Sequence, residues 1–170
     1  MKNVTFQLIS LFFILVFLQV WLFNNIQLFG FATPLLCIYF LIKLPISMNR
    51  NVVMLLSALL GFVIDVFGST LGLSMTALII IGFLRYYLLK LFAPRDVFDD
   101  YLPSLNVFGK NLFMRYAGML TLIYVSLIYL IESFSLFNPE LLILRIAGSS
   151  TLTILLIFAF EIVNFDVFKK

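Results

Sequence analysis

The sequence predicts an all-α integral membrane protein, a compact bundle of six transmembrane helices that forms one domain over residues 1–170. Hydrophobic residues make up 64% of the chain and charged residues only 11%, and the mean hydropathy is +1.17. A soluble domain contains roughly 45–50% apolar and about 25% charged residues. Because a water-soluble fold could not cover so much apolar surface, the bilayer must be the solvent for most of these side chains.

Six apolar runs have about the 20 residues that a helix needs to cross the hydrocarbon core. They cover about residues 4–23, 28–44, 52–67, 71–91, 112–131 and 141–163. Pro34 near the start of the second run and Pro45 just beyond its end occupy positions that a helix tolerates. The first run is too long for a signal peptide and no small-residue cleavage site follows it, so we expect it to be retained.

The basic residues predict the orientation of these spans. With a cytoplasmic N-terminus, ten of the eleven Lys and Arg residues lie on the cytoplasmic side, and Arg145 alone lies toward the other side. Cytoplasmic loops of membrane proteins carry such an excess, so we expect both termini in the cytoplasm. The net charge of +3 is then explained by topology and by attraction to anionic headgroups, which argues against nucleic-acid binding.

Asp65 is an acid inside the third run, where a charge at the bilayer centre costs roughly 2.5–3.5 kcal/mol on insertion scales. Ser57, Gly61, Asp65 and Gly68 recur at i, i+4, i+8 and i+11, which places them on one helix face. Small residues let another backbone approach closely. The stripe therefore predicts a helix-packing or partner-binding surface and directs the acid toward protein.

The stretch from Gly68 to Gly72 predicts a tight outer hairpin between the third and fourth runs. An uninterrupted helix from Val52 to Leu91 would be about 60 Å long, twice the hydrocarbon thickness. The chain must therefore turn between the two glycines.

Arg145, Ser149 and Thr153 share one face of the sixth run. Asp65 and Arg145 both fall in the outer third of the bilayer, so we hypothesise that they pair, directly or through water, and hold the spans in register. The alternative is that each snorkels separately to the outer headgroups. Arg85 and Glu161, near inner helix ends, are interpreted as snorkelling anchors.

No catalytic or cofactor-binding arrangement is predicted, because the chain has no His, a lone Cys37 and no nucleophile beside a base. The cytoplasmic loop 95–110 is interpreted as an interfacial linker or, alternatively, as a docking site for a cytoplasmic partner. Its acids, Asp96, Asp99 and Asp100, could hold a divalent ion for a lipid-headgroup transferase. They lack the Gly and Arg partners that such a site needs, so we do not expect an enzyme.

The stretch GFVIDVFGSTLGLSMTALIIIGFL (61–84) resembles the signature of the MreD family of bacterial rod shape-determining membrane proteins. The family pattern has a Gly, an Asp four residues later, two Gly around a short turn, then Leu and small residues. Five positions match it, namely Gly61, Asp65, Gly68, Gly72 and Leu73. The chain length and the six-span layout also agree with the family.

The resemblance implies a six-helix bundle similar to the S-components of energy-coupling factor vitamin transporters, located in the bacterial cytoplasmic membrane. It also implies a non-catalytic scaffold in the elongation machinery for the peptidoglycan wall. Such a scaffold binds MreC, a single-span coiled-coil protein, and through it acts with MreB, RodA and the transpeptidase partner of RodA.

The alternative function is that of a vitamin-binding S-component itself. Such a protein needs a polar cavity open to the outside, which Asp65, Arg145, Ser149 and Thr153 could line. Its first span docks on a coupling subunit through small residues. The run 4–23 contains no glycine or alanine, which argues against this function.

Overall fold

The computed structural model describes residues 2–23, 33–70, 72–92, 102–133 and 139–167, and in these ranges the regular secondary structure is entirely helical. The elements are α1 (Lys2–Leu18), a π-helical turn that continues it (Gln19–Phe23), α2 (Ile38–Lys43), α3 (Arg50–Gly68), α4 (Leu73–Phe92), α5 (Leu105–Glu132) and α6 (Pro139–Val167).

Four of the described helices are long and apolar enough to cross a membrane, which makes the chain a multi-pass membrane protein. The crossing segments are Arg50–Gly68, Leu73–Phe92, Phe108–Glu132 and Glu140–Ile162. They coincide with the third to sixth predicted runs to within about four residues at each end. The first run is helical as predicted, with a shorter apolar part, Phe6–Trp21.

The second predicted run, 28–44, is not a continuous helix. Residues 28–32 lie outside the described ranges, residues 33–37 are not helical, and α2 has only six residues. A proline donates no N–H and disfavours a helical residue before it, so Pro34 prevents α2 from extending back toward residue 28. Leu44, which precedes Pro45, is extended for the same reason and ends α2.

The segment 33–44, which contains α2, lies in the core of the bundle. Every residue from 36 to 42 is buried. Helices α3 to α6 pack against one another in chain order, and α2 contacts α1, α4 and α5. The least regular part of the described chain is therefore also among its most enclosed parts.

The hairpin between the third and fourth runs is confirmed, since α3 ends at Gly68 and α4 begins at Leu73. We call this end of the bundle the hairpin end and the end that holds Lys43 the opposite end. Of the loop 95–110, residues 95–101 with its three acids lie outside the described ranges. Its last residues form the first turn of α5, which Gly109 interrupts at φ 74°.

Candidate functional site

Asp65 joins α3 to the first turn of α4. The buried Oδ1 atom accepts hydrogen bonds from Thr70 Oγ1 and from the backbone N–H of Ser74, both at 2.9 Å. Its Oδ2 atom accepts one from the N–H of Met75, also at 2.9 Å. The first N–H groups of a helix have no partner within the helix, and a negative charge is favoured beside them. A carboxylate in α3 therefore caps α4.

The turn that this carboxylate closes depends on two residues with positive φ. Ser69 lies at φ 54° and donates its N–H to the carbonyl of Asp65, and Gly72 lies at φ 75°. The left-handed conformation favours glycine, which explains Gly72. Gly68 is the last residue of α3, and the serine after it takes the left-handed position.

The small-residue stripe lies against α4. A Cβ atom added to Gly61 would lie 2.4 Å from Met75 Cα, so only glycine permits this approach of two backbones. One turn earlier in α3, Ser57 faces Gly82 of α4. A Cβ added to Gly82 would lie 2.7 Å from Oγ of the buried Ser57. The close packing expected of Ser57 and Gly61 is therefore present. The stripe packs against α4, the next helix of the same chain, so this surface is not open to another protein.

The direct pair hypothesised between Asp65 and Arg145 is not formed. Both oxygens of Asp65 already accept hydrogen bonds from the hairpin, and Arg145 is exposed on α6. Helices α3 and α6 share no extensive contact. Because donors within ten residues along the chain satisfy the acid, the fold requires no remote cation for it.

A second polar cluster holds the non-helical residues 33–37. Ser149 Oγ accepts the N–H of Thr33 at 3.0 Å, and Thr153 Oγ1 accepts the N–H of Leu35 at 3.1 Å. The Tyr129 hydroxyl lies 2.8 Å from both Thr33 Oγ1 and Ser149 Oγ. Non-helical backbone at membrane depth is tolerated only where protein or a water-filled cavity supplies partners. Here α5 and α6 supply them.

Gln19, in the π-helical turn, supports the same segment from another side. Its side-chain nitrogen donates to the carbonyl of Pro34 at 3.2 Å, and its oxygen accepts the N–H of Cys37 at 3.3 Å. The Cys37 sulfur lies 2.9 Å from the Tyr124 hydroxyl. The π-helical turn and the non-helical residues 33–37 therefore meet at one buried amide.

Arg85 caps the other end of α2, so its interpretation as a snorkelling anchor is wrong. The side chain is only 2% exposed. Its Nε donates to the carbonyl of Leu41 at 2.7 Å, and its Nη2 donates to the carbonyls of Leu44 and Pro45. The last carbonyls of a helix lack partners, and a cation beside them is favourable. Arg85 therefore lies inside the bundle, because the carbonyls at the end of α2 need the donors that its side chain provides.

Glu161, the second residue interpreted as an anchor, is also buried. Its Oε1 lies 2.7 Å from Lys43 Nζ and accepts the N–H of Leu105 at 3.3 Å, and its Oε2 accepts the Tyr39 hydroxyl at 2.8 Å. A carboxylate with several donors tolerates burial, whereas an unpaired one does not. Glu161 thus joins α2, α5 and α6 at the opposite end.

Two grooves between the described helices are apolar. One of about 660 Å³ runs between α1 and α3, lined by Phe12, Phe13, Val16, Phe17, Val20, Trp21, Val63 and Phe67. Another of about 270 Å³ shares Phe12 and Phe13 and extends toward Met48. Neither groove includes Asp65, Arg145, Ser149 or Thr153. Within the described ranges no group of three metal-ligating side chains could hold an ion.

Sequence reasoning missed the roles of Gln19, Gly82, Arg85 and Glu161. Gly82 lies 21 residues after Gly61, and only the hairpin geometry shows that its partner is Ser57. For Gln19, Arg85 and Glu161 the available signal is their position inside or at the end of apolar runs. Such polar residues are usually engaged with protein and should have been assigned partners.

Comparisons with protein-family models, with curated protein sequences and with solved structures gave no match in any of the three.

Proposed function

We propose that this chain is a non-catalytic scaffold subunit of the bacterial cell-elongation (rod) complex, of the kind represented by the MreD family. In this role it lies in the cytoplasmic membrane, binds an MreC-like single-span coiled-coil protein, and helps to direct peptidoglycan synthesis and cell shape. MreB, RodA and the RodA transpeptidase are indirect partners.

The observation that carries this proposal is that the chain's own backbone uses the polar side chains of the spans. Asp65 bonds to the start of α4, Arg85 to the end of α2, and Ser149 and Thr153 to residues 33–35. Polar groups bound in this way stabilise one arrangement of helices and are not free for chemistry. Much of what remains outside on the described helices is apolar surface, which suits association with other spans.

The same observation argues against a vitamin-binding S-component. The polar outer cavity of such a protein would be lined by Asp65, Ser149, Thr153 and Arg145. Three of these side chains are buried and hydrogen bonded within the bundle, and the fourth is exposed on α6. A vitamin in this position would have to displace residues 33–35 and leave their N–H groups without partners.

Purification of the tagged protein from native membranes in mild detergent, followed by mass spectrometry, tests the proposal. We expect a stoichiometric single-span coiled-coil protein together with wall synthases. The matched control is the same purification from cells that carry the untagged chain. Recovery of two ATPases with a coupling subunit would overturn the scaffold function in favour of vitamin uptake.

A further inference from the structure

Helix α6 is the least enclosed of the four crossing helices. Only 22% of its most apolar stretch is buried in the bundle, compared with 33–44% for the other three. Among the described helices, α5 is its one extensive neighbour. Large apolar side chains on its outer face, such as Leu144 and Leu155 three turns apart, are 51% and 69% exposed. This face is therefore available to another molecule within the membrane.

Arg145 is an exposed cation on this helix. It lies six residues after Pro139, about 9 Å along the helix axis, and within the crossing segment Glu140–Ile162. Within the described part of the chain it has no ion-pair or hydrogen-bond partner, and the one ion pair formed there is Lys43–Glu161. An arginine in a membrane span usually faces protein or pairs with another group.

Comparison with Arg85 shows how this bundle treats an arginine that it uses itself. Arg85 is 2% exposed, and three backbone carbonyls accept its hydrogen bonds. Arg145 is exposed and has none of these contacts. The fold of this chain therefore does not account for the position of Arg145.

We infer that the exposed face of α6 is a docking surface for a transmembrane helix of another protein, one that carries a carboxylate at the depth of Arg145. The carboxylate would neutralise the guanidinium and accept two parallel hydrogen bonds. The apolar side chains of α6 would pack along the partner helix. This inference rests on the scaffold function, to which it adds a surface and the chemistry of the partner.

A second copy of this chain matches the surface poorly. The described acids inside the spans, Asp65 and Glu161, are buried and fully engaged in their own copy. Glu132 and Glu140 lie at helix ends, so neither is at the depth of Arg145. The carboxylate must therefore come from a different protein.

The test uses the full-length protein in phosphatidylcholine vesicles with a synthetic single-span peptide as the probe. The peptide is an apolar helix of about 20 residues with one Glu about 9 Å from its outer end. Energy transfer between labelled peptide and labelled protein measures association. Control peptides carry Gln at that position or carry the Glu at the centre of the helix.

We expect the Glu peptide to bind the wild-type protein about tenfold more tightly than either control peptide, since one charge-assisted pair corresponds to roughly that factor. Arg145→Leu should lose this preference and Arg145→Lys should keep part of it. Arg50→Leu, the same change at the opposite end, should leave binding unchanged. Because Arg145 makes no described contact in its own chain, its variants should keep the wild-type melting temperature, which is measured alongside.

Four outcomes would overturn the inference. Equal binding of the Glu and Gln peptides by the wild-type protein would show that the charge is not recognised. So would binding of the Glu peptide by Arg145→Leu as tightly as by the wild-type protein. Loss of the preference when phosphatidylglycerol is added would assign Arg145 to lipid phosphate. Self-association of the protein that excludes the peptide would assign the face to a second copy. Since no cell-wall protein is present, failure here leaves the scaffold function to be decided by the purification.

Discussion

In the α3–α4 hairpin, the polar groups that bond to one another are near neighbours in the chain, whereas those around segment 33–44 are distant. Asp65 bonds to residues five, nine and ten positions later. Thr33 bonds to Ser149, 116 positions later, and Tyr39 bonds to Glu161, 122 positions later. Both regions satisfy backbone groups that the membrane leaves without water.

The difference lies in how many parts of the chain must be in place for each region to form. The hairpin needs only two adjacent helices, so its polar contacts can form as soon as both are inserted. Segment 33–44 needs side chains from the π-helical turn, α4, α5 and α6. Substitutions in the first region should therefore act locally, and those in the second should loosen the whole bundle.

The largest effect is expected at Glu161. Glu161→Leu leaves the partly buried Lys43 without its anion and should lower the free energy of unfolding by about 3–5 kcal/mol. The double variant with Lys43→Met should recover part of this loss, because apolar pairs often replace buried ion pairs without penalty, whereas the hydrogen bonds from Leu105 and Tyr39 stay lost. Denaturant-induced unfolding in detergent measures both. A double variant as unstable as the single one would contradict the interpretation.

Asp65→Leu should lower the free energy of unfolding by about 3 kcal/mol, since three hydrogen bonds to a carboxylate are lost and such contributions are not additive. Asp65→Asn keeps one acceptor oxygen and should cost roughly half as much. Hydrogen exchange should rise at the start of α4 and stay unchanged at residues 33–37. A rise spread over both regions would remove the proposed contrast between them.

Gly61→Ala should destabilise the hairpin by about 1–3 kcal/mol, because the new Cβ meets backbone that cannot move aside. Gly118→Ala is the matched control within a helix, since no atom lies within 4 Å of its added Cβ. That variant should be neutral or slightly stabilising. Melting temperatures in detergent compare the two, and equal values would argue against close α3–α4 packing.

The smallest effect is expected at Thr153. Thr153→Val keeps the shape of the side chain but leaves the N–H of Leu35 without an acceptor, which should cost about 1 kcal/mol. Thr151 is exposed and bonds only to carbonyls of its own helix, so Thr151→Val should change stability less. Denaturant-induced unfolding in detergent compares the stability of the two variants. A larger effect at Thr151 would mean that Thr153 does not support the segment.

The contrast between local and distant contacts also explains what could be predicted from the sequence. The hairpin was predictable because Gly68, Gly72 and the length of the helices constrain it within a few residues. The close packing of Gly61 followed from its spacing to Ser57 and Asp65. The roles of Arg85 and Glu161 were not predictable, because their partners depend on which helices become neighbours in three dimensions.

The second run shows the same limit of prediction from sequence, in this case for the conformation of the backbone. The sequence places Pro34 near the start of a helical run, a position that a helix tolerates. The helix begins four residues later because side chains of Gln19, Ser149 and Thr153 provide bonds that a helix would otherwise make for itself. Hydropathy records that the run is apolar, and it does not distinguish a helix from an enclosed extended segment.

The enclosed segment 33–37 has a consequence for biosynthesis. The N–H groups of Thr33 and Leu35 find their acceptors on α6, so they have none until the ribosome has made residues 149 and 153. At 5–20 residues per second, a separation of 116 residues means a delay of about 6–23 s. During that interval the segment must stay near water or be held by the insertion machinery, since lipid offers it no hydrogen bonds. The synthesis of α6 therefore decides when the second stretch of the chain can take its place.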